Sequence, residues 1–111
     1  MDIKGLSFCQ TSEDTEWNYS FFPVFLDQKI YGSTRDAVMG KFLYEGINCR
    51  RYFWPLISDM SFFKSYQRKS GSLDFAHKKS EEVLCLPLYP GMTEGDINRI
   101  VNIIKKDKNL K

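Results

Sequence analysis

The chain has 111 residues, 42% of them hydrophobic and 27% charged, with a formal net charge of +2. One small domain with a core of its own fits that length, and two do not. The balance excludes a disordered chain, and dedicated nucleic-acid-binding domains are usually far more basic than this, so nucleic acid is not the expected partner.

Residues 1–16 are polar, lack periodicity and read as a lead-in. They have no apolar run behind a basic start, unlike a secretory signal, so a cytoplasmic protein is expected. Residues 17–27 are β-branched or aromatic at most positions and predict a strand, with Phe22, Val24 and Leu26 on one face and Tyr19, Phe21 and Phe25 on the other. Pro23 cannot donate to a ladder and marks an edge or a bulge. The longest apolar run, Phe21–Leu26, is far shorter than the roughly 20 residues of a membrane span, so no membrane is expected.

A helix follows over about 34–45. Ser33 is read as its N-cap, with Asp36 at a capping-box spacing, and Val38, Met39, Phe42 and Leu43 recur at helical intervals. Gly46 supplies the left-handed residue that ends it. Residues 48–54 (NCRRYFW) predict a second strand, stopped by Pro55. Residues 59–67 predict a short helix or turn carrying Phe62, Phe63 and Tyr66. Arg68–Ser72 predicts a polar loop, and 73–82 a short helix. Val83–Leu86 (VLCL) has the uniform apolarity of a strand buried on both faces. Thr93 then caps a last helix with Asp96 three residues on, and Ile97, Ile100, Val101 and Ile104 form one stripe. The sum is an α+β domain: a small antiparallel sheet with helices largely on one side.

Self-contained chemistry is missing from this pattern. His77, the single histidine, has no cysteine or carboxylate at motif spacing and reads as a solvated side chain; Glu81 and Glu82 read as a solvated helix end. No phosphate-cradling glycine motif occurs. The three cysteines, Cys9, Cys49 and Cys85, are too widely spaced for a zinc or redox motif, and the last two read as small hydrophobes. Lys105, Lys106, Lys108 and Lys111 cluster where cations oppose the negative end of the last helix's dipole. Arg50 and Arg51 point to opposite faces of their strand, so one can meet salt-bridge and stacking partners while the other faces a ligand. The aromatic share is high, 15%. So much ring surface serves either a core of large side chains or a face that something larger covers.

Three blocks together, Asn18–Leu26 (NYSFFPVFL), Gly46–Ser58 (GINCRRYFWPLIS) and Val83–Thr93 (VLCLPLYPGMT), with Ser-Thr-Arg-Asp at 33–36, resemble the C-terminal small domain of the DegT/DnrJ/EryC1/StrS aminotransferases. The resemblance covers about residues 17–105. It implies the C-terminal domain of a fold type I, pyridoxal-phosphate-dependent enzyme that aminates a nucleotide-linked keto-sugar. The Gly46–Ser58 form looks closest to members that make dTDP-3-amino-3,6-dideoxyhexoses. Residues 17–111 would then be one small domain. The family's Schiff-base lysine and cofactor contacts belong to a large domain absent here, which leaves this chain with no catalytic residue, cofactor or metal of its own. The large domain, a second subunit of a homodimer and the nucleotide sugar are its implied partners. By the same resemblance Arg50, Tyr52 and Leu56 face the substrate; Ile57 stands where many relatives have histidine. The competing reading is a stand-alone α+β ligand-binding or subunit-interaction module.

Overall fold

The computed structural model describes residues 3–66 and 71–108. Its strands are β1 (Leu6–Phe8), β2 (Phe22–Leu26) and β3 (Val83–Leu86); its helices are α1 (Gln28–Tyr31), α2 (Arg35–Tyr44), α3 (Asp74–Glu82) and α4 (Glu94–Lys108). The sheet is antiparallel throughout, in the order β1-β2-β3, with Leu6 opposite Leu26 and Val24 opposite Leu84. This is the α+β architecture expected. Among the described residues, no helix is long and apolar enough to cross a membrane.

Strand alternation places Val24 and Leu26 on the core face of β2, where they meet Val38 and Phe42 of α2, Leu84 of β3, and Ile100, Ile103 and Ile104 of α4. Helices α2 and α4 pack on each other over this face, and α3 contacts β2. Lys79 of α3 lies 5.0 Å over the half-buried Phe25 ring, on the strand's other side. Both buried cysteines, Cys49 and Cys85, behave as small hydrophobes; burial pushes the Cys49 thiol up to about 12 and also raises Cys85.

Several elements differ from the sequence-based expectation. The first sixteen residues include β1, an edge strand too short to show alternation. The expected strand at 17–27 is ordered only over Phe22–Leu26, since β3 and β1 offer partners to no more of it. Asp27 ends that strand and caps α1, its Oδ1 accepting from the Lys29 and Ile30 amides, and Gly32 closes the single turn at φ 97°. The turn buries Tyr31, whose hydroxyl donates to the Ile104 carbonyl at 2.6 Å; burial pushes its pKa up to about 12.

Thr34, not Ser33, caps α2: its Oγ1 accepts from the Ala37 amide at 3.1 Å. That one-residue shift leaves the Asp36 carboxylate available to side chains. The C-terminus ends as expected on left-handed Gly46, with Gly46 N donating to Leu43 O and Ile47 N to Phe42 O, a Schellman pattern. Leu43 is turned to solvent, 64% exposed, because α4 covers only the Val38–Phe42 side of the helix.

Residues 48–54 do not form a strand. Only Arg50 pairs with Cys85 across the outer edge of β3, and the chain then turns, Trp54 N donating to Arg51 O at 2.7 Å. β-propensity reflects packing on a pleated surface, and here the Trp54 ring instead takes the Arg51 guanidinium at 4.4 Å, which a turn allows and an extended strand does not. In the 59–67 segment, the 3-10 turn Ile57–Asp59 is followed by hydrogen-bonded turns through Tyr66; residue 67 and the loop residues 68–70 lie outside the described residues. So do Lys111 and the side chain of Lys108. Glu82 is buried rather than solvated, held by Lys79 at 2.7 Å and Lys78 at 3.6 Å.

Helix α4 starts with a capping box. The Asp96 amide donates to Thr93 Oγ1, and the Thr93 amide and hydroxyl donate to Asp96 Oδ2, at 3.2, 2.9 and 2.7 Å. The buried stripe is Ile100, Ile103 and Ile104; Ile97, one turn earlier, is 47% exposed. Replacing Ile100 with Ala should cost about 2–4 kcal/mol in a denaturant melt, whereas Ile97→Ala should stay within about 0.5 kcal/mol. Equal costs would put α4 in a different register.

The Thr93 hydrogen bonds lower the Asp96 pKa. A carboxyl depressed by folding contributes stability above its unfolded value, near 4, and loses it as pH falls through the folded value. The melting-temperature gap between the chain and Asp96→Ala should therefore be full at pH 7 and narrow below about pH 4. A gap independent of pH would mean the carboxylate is not the capping group.

Candidate functional site

Asp36 organises the segment that carries the predicted site. Its Oδ1 accepts from Arg35 Nε at 2.7 Å and lies 3.4 Å from an Arg51 nitrogen. Arg35 is 4% exposed and also donates to the Ser80 and Val83 carbonyls at 2.9 and 3.1 Å. Both arginines lie against Trp54, at 5.7 and 4.4 Å from its ring centre. Arg51 therefore has the structural role foreseen for one member of the Arg50–Arg51 pair. Sequence reasoning missed Arg35. The signal was present in the Arg-Asp step that opens α2, but nothing in the spacing announced a buried guanidinium.

With Arg51 turned toward α2, Arg50 and Tyr52 turn the other way. They line one groove of about 200 Å³ with Ser20, Phe21, Asn48 and Pro87. No hydrogen bond or ion pair engages the Arg50 side chain among the described residues. The Phe21 ring meets Tyr52 edge-on at 5.0 Å, and Phe53 stands 5.1 Å from Tyr52. Peptide bonds Tyr52–Phe53 and Trp54–Pro55 are cis. Leu56 is half-buried and is not a wall of this groove, so the structure brings together two of the three predicted residues. His77 is half-exposed rather than simply solvated, with Nδ1 3.2 Å from an Asp59 carboxylate oxygen. Among the described residues, no cluster of three or more potential metal ligands occurs.

This geometry sits in a recognisable frame. The model for the DegT/DnrJ/EryC1/StrS aminotransferase family matches residues 1–105. The chain belongs to that family. A dTDP-4-amino-4,6-dideoxy-D-glucose transaminase of Escherichia coli is 31% identical over 101 residues, which is 90% of this chain and 27% of that protein. The protein of that name from Shigella dysenteriae is 29% identical over 109 residues, 96% of this chain and 29% of its own length. The chain thus spans little more than a quarter of these curated relatives. Among solved structures, DesI in the presence of its TDP-sugar product superposes with a TM-score of 0.87 at 22% identity, covering 98% of this chain and 27% of that one. The aminotransferase TlmJ from Streptoalloteichus hindustanus gives 0.73 at 22%, covering 93% and 26%. At those identities the likeness is one of fold.

The family uses pyridoxal phosphate. Such a site needs a lysine in a cleft, a partner for the pyridinium nitrogen, and free backbone amides for the phosphate. Among the described residues, Lys41 and Lys106 border a hollow of about 340 Å³ beside Tyr44 and Glu45, in the C-terminal halves of α2 and α4, where helices offer carbonyls rather than amides. Lys78 and Lys79 are paired with Glu82. None of these four lysines stands in such a setting.

Surface rings of this region leave much apolar area in water: Tyr19 is 73% exposed, Phe53 71%, Phe21 45% and Trp54 44%. At about 25 cal/mol per Å², covering them is favourable, so the 111-residue chain should self-associate as concentration rises and enhance the fluorescence of a hydrophobic dye. Sedimentation at several concentrations checks the first, and Phe53→Ser should lower the dye signal while leaving the melting temperature unchanged. A monomeric, dye-negative chain would mean that the rings cover one another in solution.

Proposed function

We propose that this chain is the C-terminal small domain of an aminotransferase that places an amino group on a keto-sugar carried by dTDP, and that Arg50 and Tyr52 face that nucleotide sugar. The observation that carries this reading is the meeting of an unengaged arginine and an exposed tyrosine ring in one groove, in a chain of this family. A guanidinium pairs with phosphate oxygens through charge-assisted, often bidentate hydrogen bonds, and a phenol ring stacks on a sugar or a base. Leu56, just past the groove, would add an apolar contact beyond Pro55. In this reading a large domain supplies the lysine and the pyridoxal phosphate, and the enzyme works as a homodimer in the cytoplasm, a compartment in keeping with three free cysteines. The stand-alone module is not favoured: a chain of that kind need not match an aminotransferase family almost end to end.

The form of Gly46–Ser58 favours amination at C3, giving a 3-amino-3,6-dideoxyhexose, while the names of the curated relatives favour C4. The longer enzyme, given glutamate and either the 3-keto or the 4-keto dTDP-6-deoxyhexose, settles the position from the product's proton spectrum. Amination at C3 is expected, and failure to aminate either sugar would overturn the reading. In the same enzyme, Arg50→Ala should raise KM for the nucleotide sugar about tenfold, the value of one charge-assisted contact, with kcat little changed. An unchanged KM would remove Arg50 from the substrate site.

A further inference from the structure

A larger cavity than the Arg50 groove lies between β1 and the segment leading into β2. It measures about 430 Å³, within the range of small-molecule sites, roughly 300–1,000 Å³. Four aromatic side chains line it, Phe8, Trp17, Tyr19 and Phe22, together with the amide of Gln10 and the hydroxyl of Thr11, and no charged residue does. The Phe8 and Phe22 rings lie nearly parallel, 6.4 Å apart with a 23° interplanar angle.

Tyr19 is held at this cavity against its backbone preference. Its φ is 53°, in the left-handed region that bulky side chains avoid. The Asn18 side-chain oxygen accepts from the Ser20 amide at 3.1 Å across it, and the ring that results is 73% exposed. The core gains nothing from that ring. Unfavourable backbone conformations that present a side chain to solvent concentrate where ligands are clamped.

We infer that this cavity binds an uncharged planar heterocycle of the nucleobase class. Flat aromatic walls stack on a ring that has two π faces, and such stacking tolerates any base. Gln10 and Thr11 each carry a donor and an acceptor for the edge of a heterocycle. Without a cation in the lining, phosphate and carboxylate ligands are disfavoured. Tyr19 and Phe22 wall this cavity while Ser20 and Phe21 wall the Arg50 groove, so the two sites are separate. The inference does not rest on the substrate assignment made above.

The 111-residue chain itself is the test material, with thymidine, which is uncharged, as the probe and glucose as the comparison. Its two tryptophans give two indole N–H signals, assigned with Trp17→Phe. Thymidine should shift the Trp17 signal saturably at millimolar concentration and leave Trp54 in place, and glucose should shift neither. Tyr19→Ala, which removes an exposed ring, should weaken binding roughly fivefold or more, while Tyr44→Ala, at 91% exposure outside the cavity, should not. Cys9, the one exposed cysteine of the three, also borders the cavity, so thymidine should slow its alkylation. An unmoved Trp17 signal, equal response to glucose, or unchanged affinity in Tyr19→Ala would overturn the inference.

Discussion

Arg35 is the joint on which the arrangement depends. Helix α3 runs into β3 without a loop, so past the Val83 amide, which donates to the Lys79 carbonyl, no helical amide follows for the carbonyls at the junction. The Arg35 guanidinium, 4% exposed, takes two of these neighbouring carbonyls, Ser80 and Val83, and returns its charge to Asp36. Removing a charge from water costs several kcal/mol unless partners surround it, and here they do. The first turn of α2 is thereby fixed to the point where α3 becomes β3, and the sheet, the helix pair and the connection between them hold one relative position.

The same joint reaches the candidate site through a second arginine. Asp36 draws in Arg51 as well, and Arg51 and Arg35 share the Trp54 ring. A chain that must send Arg51 toward α2 sends its neighbours Arg50 and Tyr52 away from it. Alternation thus survives in a segment that is not a strand. Ladder hydrogen bonds supply only the Arg50–Cys85 bridge; the side-chain network supplies the rest of the constraint. A substitution at Arg35 would be felt at the groove even though Arg35 touches none of it.

What was legible in the sequence follows from the range of the forces involved. The Thr93–Asp96 box and the Gly46 stop are local, set by residues three or four apart, and both stand in the structure as read. The apolar run of β3 was equally clear, because a strand buried on both faces needs no context. The readings that failed needed tertiary information. Leu43 and Ile97 fit the helical period as well as their buried neighbours do, and only the placement of α4 decides which edge of each stripe is covered. Residues 48–54 have strand-forming side chains, but their partner surface is occupied by a cation–aromatic stack. At the site, Arg50 and Tyr52 were placed on one face correctly, and Leu56 was carried past the turn that separates it from them.

The division of side chains between inside and outside explains the composition. The buried cluster is aliphatic, with Phe42 and Tyr31 its aromatic members. Most of the remaining rings lie at the surface, and they are not scattered: Phe21, Tyr52 and Phe53 touch one another, as do Phe62, Phe63 and Tyr66. Aliphatic residues fill a small core more closely because their shapes interdigitate. Rings with two rotatable bonds, already braced edge to face, lose little further freedom when something covers them. A domain built to be covered would hold its surface rings in this way. In the reading proposed above, the body that covers them belongs to the same enzyme, and the unusual aromatic content of the chain is the half of an interface that one small domain can carry.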